Sequence, residues 1–114
     1  MTAQRRRLLE PYEILDLPDG GKEAFVPTSW EEGTMVIRPR YAGAPAEKVI
    51  PVLRIHVRKE DKPFFPHYYD VTGKTAQAQL VPLLMAPEYR LRRITVTKHG
   101  VAPRARFSVE SGPI

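Results

Sequence analysis

The segment KVIPVLRIHVRK, residues 48–59, constrains the fold more than any other part of the sequence. From position 53 to position 58, aliphatic side chains alternate with basic ones. A period of two residues places successive side chains on opposite faces of a β-strand. We therefore predict a strand here, with one face in the core and a face bearing Arg54, His56 and Arg58 outside it.

Shorter segments predict further strands on both sides of this one. YEILDL is followed by the turn sequence PDGG, KEAFVPTSW is interrupted by Pro27, and EEG at 31–33 is predicted as a turn before TMVIRPRY. RLRRITVTK and RARFSVES are predicted to form a hairpin across HGVAP. These segments are YEILDL, KEAFVPTSW, TMVIRPRY, RLRRITVTK and RARFSVES, which begin at positions 12, 22, 34, 90 and 104.

One segment is typical of a helix. Counting from Ala76, apolar residues recur at i, i+4, i+7 and i+8, which forms a single stripe on a helix. Thr72 is a suitable N-cap because its hydroxyl can accept a backbone N–H of the first turn. We predict a main helix over residues 72–86, disturbed at Pro82, which lacks an N–H.

These elements predict an α+β fold: a small antiparallel β-sheet with one main helix packed on one face, ending in a C-terminal β-hairpin. An all-β barrel with the helix as a plug is the alternative. A length of 114 residues fits one domain, residues 1–114. Residues 1–8, which include the run RRR, are predicted to form a mobile basic arm.

The composition excludes several classes of site. The absence of Cys excludes disulfides, thiol catalysis, cysteine-ligated zinc and iron–sulfur clusters. No apolar run approaches the roughly 20 residues of a membrane helix, and the N-terminus has no secretory apolar core, so a cytoplasmic protein without membrane contact is expected. Twelve prolines and the lack of Asn and Cys fit a thermophilic source. Coding bias explains them equally well.

Positive charge is concentrated in the second half of the chain. The net charge is +5, and residues 51–114 hold eleven Lys or Arg against five Asp or Glu. A basic half indicates a polyanionic partner, such as nucleic acid or an acidic protein surface.

The sequence TGKT, residues 72–75, invites comparison with a phosphate-binding loop. Such a loop requires a glycine five residues before the glycine that precedes the lysine. That position holds Tyr68, and no apolar strand leads into the segment. We therefore predict no nucleotide hydrolysis, and leave Lys74 as a single anion contact at a helix start.

Arginines occupy the polar face of three predicted strands, and acids appear only at the ends of these strands, as Glu60 and Glu110. Cross-strand pairs on an exposed sheet usually mix signs, because like charges repel. If the strands share a sheet, their arginines form one surface suited to a phosphate backbone. Acids from loops, such as Glu31, Glu32 or Glu47, are the alternative explanation, because they would neutralise it. The predicted contacts are Arg38, Arg40, Arg54, Arg58, Lys74, Arg104 and Arg106.

The loop KEDKPFFPHYY places aromatic residues beside cations. Phe64, Phe65 and Tyr69 are candidates for stacking on unpaired bases. The alternative is that at least two of the four aromatics, Tyr68 included, fold back into the core.

No catalytic motif emerges, and no cofactor is predicted. The three histidines have no metal-ligand spacing. The leading hypothesis is a non-enzymatic, nucleic-acid-binding protein, with single- and double-stranded ligands both open. One alternative is a protein-interaction or structural subunit that forms a homo-oligomer, for example in a viral particle. The other is a metal-dependent nuclease built from two carboxylates and a histidine.

Overall fold

The computed structural model describes residues 7–101 and 104–114, and its strands form two sheets. The four-stranded sheet has the order β1-β3-β4-β5, and the three-stranded sheet has the order β2-β6-β7. With one main helix and a C-terminal hairpin, this is the predicted α+β class. The elements are β1 (Arg7–Leu8), β2 (Lys22–Phe25), β3 (Pro27–Ile37), β4 (Lys48–Val57), β5 (Tyr68–Val71), α1 (Lys74–Leu84), β6 (Arg92–His99) and β7 (Arg106–Pro113).

The four-stranded sheet is built around the long β3–β4 hairpin. β4 pairs antiparallel with β3 and with β5, whereas β1 runs parallel to β3 with Arg7 opposite Gly33. The predicted basic arm covered residues 1–8. Of these, Arg7 and Leu8 are part of the sheet, and residues 1–6 lie outside the described residues.

The predicted turn at EEG is wrong, because these residues lie in the middle of β3. Glu32 is paired with Leu53, and Gly33 with Val52. The strand begins instead at Pro27, and its pairing shifts register between Pro27 and Ser29. A proline is tolerated as the first residue of a strand or at a bulge, since it has no N–H to donate.

The segment YEILDL forms no strand of its own and follows the edge of β5. Ile14 makes one bridge to Asp70. The N–H of Asp70 donates to the carbonyl of Glu13, and the N–H of Leu15 donates to the carbonyl of Asp70. The segment is therefore tied to β5 through Asp70, and to β3 through the hydroxyl of Tyr12, which accepts the N–H of Val36.

The main core lies between the two sheets and the helix. β4 contributes its predicted apolar face, and the helix contributes the predicted stripe through Ala76, Leu80 and Leu84. From β6, Ile94 and Val96 point into this core, as their alternation predicts. A second, smaller core on the opposite face of the four-stranded sheet consists of Leu9, Met35 and Val52.

The helix is shorter than the predicted 72–86, because it begins at Lys74 and ends at Leu84. Gly73, not Thr72, is the N-cap, and no side chain caps the first turn. Pro82 lies inside the helix. No helix in the described part of the chain is long and apolar enough to cross a membrane.

The β3–β4 hairpin projects from the body of the molecule. β5 pairs only with Leu53–His56, so the distal part of the hairpin extends beyond it. The radius of gyration is 14.7 Å, against about 13 Å for a compact domain of this length. Residues 38–47, at the turn of the hairpin, pair with no strand of either sheet.

Candidate nucleic-acid interface

The predicted arginine rows lie on two different sheets. Arg54 belongs to β4 of the four-stranded sheet, whereas Arg106 belongs to β7 of the three-stranded sheet. The rows therefore cannot form one continuous sheet face, which was the condition for a single basic surface. Each predicted contact has to be considered in its own surroundings.

Arg54 is buried and fully engaged within the protein. Only 5% of the residue is exposed. Its Nε donates to Asp70 Oδ1 at 2.8 Å, and its Nη2 donates to Asp70 Oδ2 at 3.0 Å and to the carbonyl of Pro11 at 2.9 Å. The guanidinium carbon lies 3.9 Å from the ring centre of Tyr68. The hydrogen bond to Asp70 raises the pKa of Arg54 against the opposing effect of burial.

Burial therefore removes Arg54 from the predicted phosphate contacts. The acid that neutralises it comes from the neighbouring strand, because Asp70 is directly opposite Arg54 in the register of β4 and β5. Asp70 was outside the strands compared in the sequence, so an inspection of each strand alone missed the pair.

Arg58 is paired with Asp61 in the loop that follows β4, so its side chain is not free in solvent. Its Nε donates to Asp61 Oδ2 at 3.2 Å, and Arg93 Nη1 donates to Asp61 Oδ1 at the same distance. The N–H of Val26 also donates to Asp61 at 2.9 Å. Burial opposes the ionisation of Asp61, but these donors outweigh it and lower the pKa of Asp61. Arg58 is thus a weak candidate for ligand binding.

Arg38 and Arg40 are exposed where the chain leaves β3. Arg38 lies 3.9 Å from Glu47, with both side chains mostly in solvent. An exposed pair of this kind contributes little energy, so neither arginine is held in place. Glu47 was among the loop acids expected to neutralise the row, and it does so only partially.

A second group of exposed basic residues lies on one side of the three-stranded sheet, which we call the outer sheet face. Its side chains alternate along each strand with the buried Ile94, Val96 and Phe25, so they point away from the core. Lys22 is opposite Thr97, Thr97 is opposite Ser108, and His99 is opposite Arg106. The outer sheet face consists of Lys22, Ala24, Arg93, Thr95, Thr97, His99, Arg106, Ser108, Glu110 and Gly112.

Charge on the outer sheet face is unevenly distributed. Lys22, His99 and Arg106 are exposed at one end, while Glu110 is opposite Thr95 nearer the other. Within residues 7–101 and 104–114, neither Lys22 nor Arg106 has a carboxylate in ion-pair contact. His99 Nε2 is 2.9 Å from Ser108 Oγ, and Arg104 is exposed two residues before Arg106. This end of the face carries two exposed cations, Lys22 and Arg106, with hydroxyl groups between them, and the carboxylate of Asp19 lies beside it, where it accepts the N–H of Gly100.

Lys22 and His99 were not among the residues predicted from the sequence. Lys22 is the first residue of a segment correctly predicted as a strand, and it alternates with Glu23 and Phe25. The pattern indicates that it points outward. Only the pairing of β2 with β6, which no local pattern specifies, places it in the same sheet as Arg106.

The aromatic residues of the 62–69 region divide into two groups. Phe64 and Phe65 are 84% and 80% exposed. Tyr68 and Tyr69 lie in β5, where Tyr68 is buried and Tyr69 packs on Phe25 with ring centres 5.6 Å apart. The alternative that two of the four aromatics join the core is confirmed.

Tyr69 is consequently unsuited to base stacking. Its hydroxyl donates to Glu23 Oε1 at 2.8 Å, and its ring is covered by Phe25. Burial, followed by the hydrogen bond to Glu23, raises the pKa of Tyr69 above its ordinary value. The residue joins β5 to β2 across the core.

Lys74 is exposed at the first position of the helix, but its neighbours do not favour an anion. The adjacent cavity of about 120 Å³ is lined mainly by carbon atoms from Leu15, Val71, Ala76 and Phe107. A phosphate here would meet Lys74 and the free N–H groups of the first helical turn on one side and an apolar wall on the other.

Residues 7–101 and 104–114 contain no group of three or more His, Asp or Glu positioned to hold a metal ion. No family model, curated protein or solved structure matches this chain.

Proposed function

We propose that this protein binds nucleic acid without catalysing a reaction, and that the phosphate backbone lies on the outer sheet face. The observation that supports this most is the group Lys22, His99 and Arg106 at one end of that face. Lys22 and Arg106 are cations without an ion-paired carboxylate among the described residues, and like charges on a sheet repel. A polyanion relieves that repulsion and releases its own counterions when it binds.

The side chains of this group offer complementary ways to hold phosphate. Arg106 can present a planar pair of donors to two oxygens, and Lys22 offers a mobile point charge. Thr97 and Ser108 add hydroxyl donors between them, since both lie in the same row across the three strands as Lys22. Three strands span about 10 Å, which gives the group the width of a groove for one backbone.

The proposal is tested by fluorescence anisotropy with labelled oligonucleotides at several salt concentrations. We expect tight binding at low salt and a steep loss as salt rises. Lys22→Ala/Arg106→Ala is expected to weaken binding at least about tenfold and to reduce the slope of log K against log salt by about 1.4 to 1.8. No binding by the wild-type protein at low salt would refute the proposal.

A matched control separates a local site from the effect of net charge. Arg40→Ala/Lys48→Ala removes the same two charges from exposed positions on the β3–β4 hairpin. We expect this variant to lose less than about threefold in affinity, because long-range charge is screened beyond about 10 Å. Equal losses in both variants would mean that the outer sheet face is not the site.

A second candidate function is self-assembly or binding of a protein partner, and the projecting hairpin favours it. Tyr41 and Val49 are both exposed on this hairpin. Exposed apolar groups on a projecting element are typical of protein contacts. Light scattering distinguishes the two functions: a defined oligomer that Val49→Lys dissociates, together with no affinity for oligonucleotides, would favour assembly.

A further inference from the structure

We propose that the ligand is single-stranded nucleic acid, and that its bases stack on Phe64 and Phe65. This inference rests on the proposed function and specifies its ligand. Two adjacent phenyl rings, 84% and 80% exposed, stand on the loop between β4 and β5. Large aromatic side chains are normally buried, so two neighbouring rings in solvent indicate a surface that a partner covers.

Hydrogen bonds within the loop order the backbone that carries these rings. The N–H groups of Asp61 and Lys62 both donate to the carbonyl of Arg58, at 3.0 and 3.2 Å. The Lys62 ammonium group donates to the carbonyl of Pro66. His67 Nδ1 lies 2.8 Å from the carbonyl of Lys62, which closes the base of the loop. A partner therefore meets a preformed aromatic surface, and binding orders little additional chain.

Asp61 fixes this loop to one end of the outer sheet face. Its carboxylate accepts from Arg93 of β6 and from the N–H of Val26, the residue after β2. Phe64 is three residues further along the chain. The phenyl pair therefore lies next to the end of the face that begins at Arg93, while the cations lie at the end that contains His99 and Arg106.

The separation of these two ends suits a short single strand. Arg93 and His99 are six residues apart in one strand, which corresponds to about 20 Å. A backbone held at Arg106 would pass the exposed carboxylate of Glu110 on its way along the outer sheet face, so the strand is held by cations at one end and by its bases on the phenyl rings at the other. Small single-strand-binding domains cover about 4 to 16 nucleotides in this way.

Exposed phenyl rings favour single strands over duplexes for a chemical reason. A base can stack on a side chain only when it is not already stacked and paired within a helix. Phe65 and His67 form a T-shaped contact with ring centres 6.0 Å apart, and Phe65 remains mostly exposed despite this contact. The surface thus combines basic residues for the phosphate backbone with aromatic rings on which any base can stack.

The test compares labelled 12-nucleotide DNA and RNA single strands with the 12-base-pair duplex, at one salt concentration. We expect the single strands to bind at least about tenfold more tightly than the duplex. Phe64→Ala/Phe65→Ala is expected to weaken single-strand binding at least about 30-fold, because it removes the stacking of two bases. The duplex affinity and the salt slope should stay unchanged.

Two variants control for nonspecific effects. Met85→Ala/Leu91→Ala removes two apolar side chains of similar exposure from another part of the surface, and is expected to bind like the wild type. Phe64→Tyr/Phe65→Tyr keeps both aromatic rings and is expected to retain at least half of the affinity. Circular dichroism establishes that each variant folds, as expected when the altered side chains are exposed.

The outcomes separate this inference from the proposed function. If no oligonucleotide binds at low salt, both fail. If Lys22→Ala/Arg106→Ala weakens binding but Phe64→Ala/Phe65→Ala does not, or if the duplex binds as tightly as the single strands, the stacking inference alone is overturned. It is also overturned if the phenylalanine variant dissociates an oligomer in light scattering and leaves nucleic-acid binding intact.

Discussion

Arg54 and Asp70 form a buried ion pair across β4 and β5, with Nε 2.8 Å from Oδ1 and Nη2 3.0 Å from Oδ2. Asp70 is 0% exposed and also accepts the backbone N–H of Glu13. Arg54 donates in addition to the carbonyl of Pro11. The pair therefore attaches the segment before the first turn to the centre of the four-stranded sheet.

Removing one partner of this pair should destabilise the fold strongly. Asp70→Ala leaves the guanidinium of Arg54 buried without its counter-ion, and we expect a loss of about 3–5 kcal/mol in the free energy of unfolding. Urea denaturation followed by circular dichroism measures it. Glu47→Ala, which breaks the exposed pair with Arg38, should cost less than about 1 kcal/mol.

The double variant Arg54→Met/Asp70→Leu tests the cause of the loss. It removes both charges and fills the space with apolar side chains, so it should be more stable than Asp70→Ala. If Asp70→Ala costs no more than Glu47→Ala, the ion pair does not have the structural role assigned to it here.

Alternation along a strand predicts which side chains share a face, but not what covers that face. It correctly places Ile55 and Val57 in the core and groups Arg54 with His56. On the other side of the sheet, the segment around Pro11 lies over Arg54, and His56 is 3.6 Å from Glu31. The row of Arg54 and His56, predicted to be exposed, is therefore paired with residues that are distant in sequence and contributes to the fold.

Strand order is the second piece of information that local patterns lack. The polar faces of β4 and β7 have the same character in sequence, yet they lie on different sheets. Lys22, in contrast, joins Arg106 only because β2 pairs with β6. The candidate site could therefore be predicted residue by residue only for Arg104 and Arg106 and the two exposed phenylalanines.

Gly33 is required by close packing of two strands. A Cβ atom at this position would lie 2.5 Å from the carbonyl oxygen of Arg7 and 2.6 Å from Leu9 Cγ. We expect Gly33→Ala to push β1 away from β3 and to cost about 1–3 kcal/mol, the usual range for overpacking. Gly112→Ala is the control, because a Cβ there meets no atom within 4 Å. Equal thermal stability of the two variants would contradict this explanation. From the sequence, Gly33 was predicted to lie in a turn.

Asp61 should make the protein sensitive to acid. Its donors lower its pKa in the folded state below the ordinary value, which is about 3.9. Its contribution to stability is therefore fully present above about pH 4 and is lost as the pH falls through the lowered pKa. Asp61→Asn should cost on the order of 1–3 kcal/mol at pH 7, because Arg58 and Arg93 lose a charged acceptor.

Urea denaturation of Asp61→Asn and the wild type between pH 2 and pH 7 measures this effect. The difference between the two proteins should narrow as the pH falls below 4. Glu60→Gln, a change at the neighbouring, exposed position, should follow the wild-type curve. A constant difference across the whole range would mean that Asp61 is not held in its charged form by these contacts.

Tyr69 should affect stability and leave ligand binding unchanged. Tyr69→Phe removes the hydrogen bond to Glu23, and we expect a cost of about 0.5–1.5 kcal/mol at pH 7. Affinity for single-stranded oligonucleotides should stay within about twofold, because the ring is packed on Phe25. A tenfold loss of affinity in a folded Tyr69→Phe protein would show that the ring takes part in binding.

The same residue predicts the behaviour in alkali. Burial and Glu23 raise the pKa of Tyr69 in the folded protein, whereas the unfolded chain loses that proton near pH 10. Its stabilising effect is therefore complete below about pH 10 and declines as the pH rises further. Absorbance at 295 nm should show a tyrosine phase well above pH 10, and Tyr69→Phe should lose that phase and part of the alkaline destabilisation. A titration curve that Tyr69→Phe leaves unchanged above pH 10 would contradict the buried hydrogen bond.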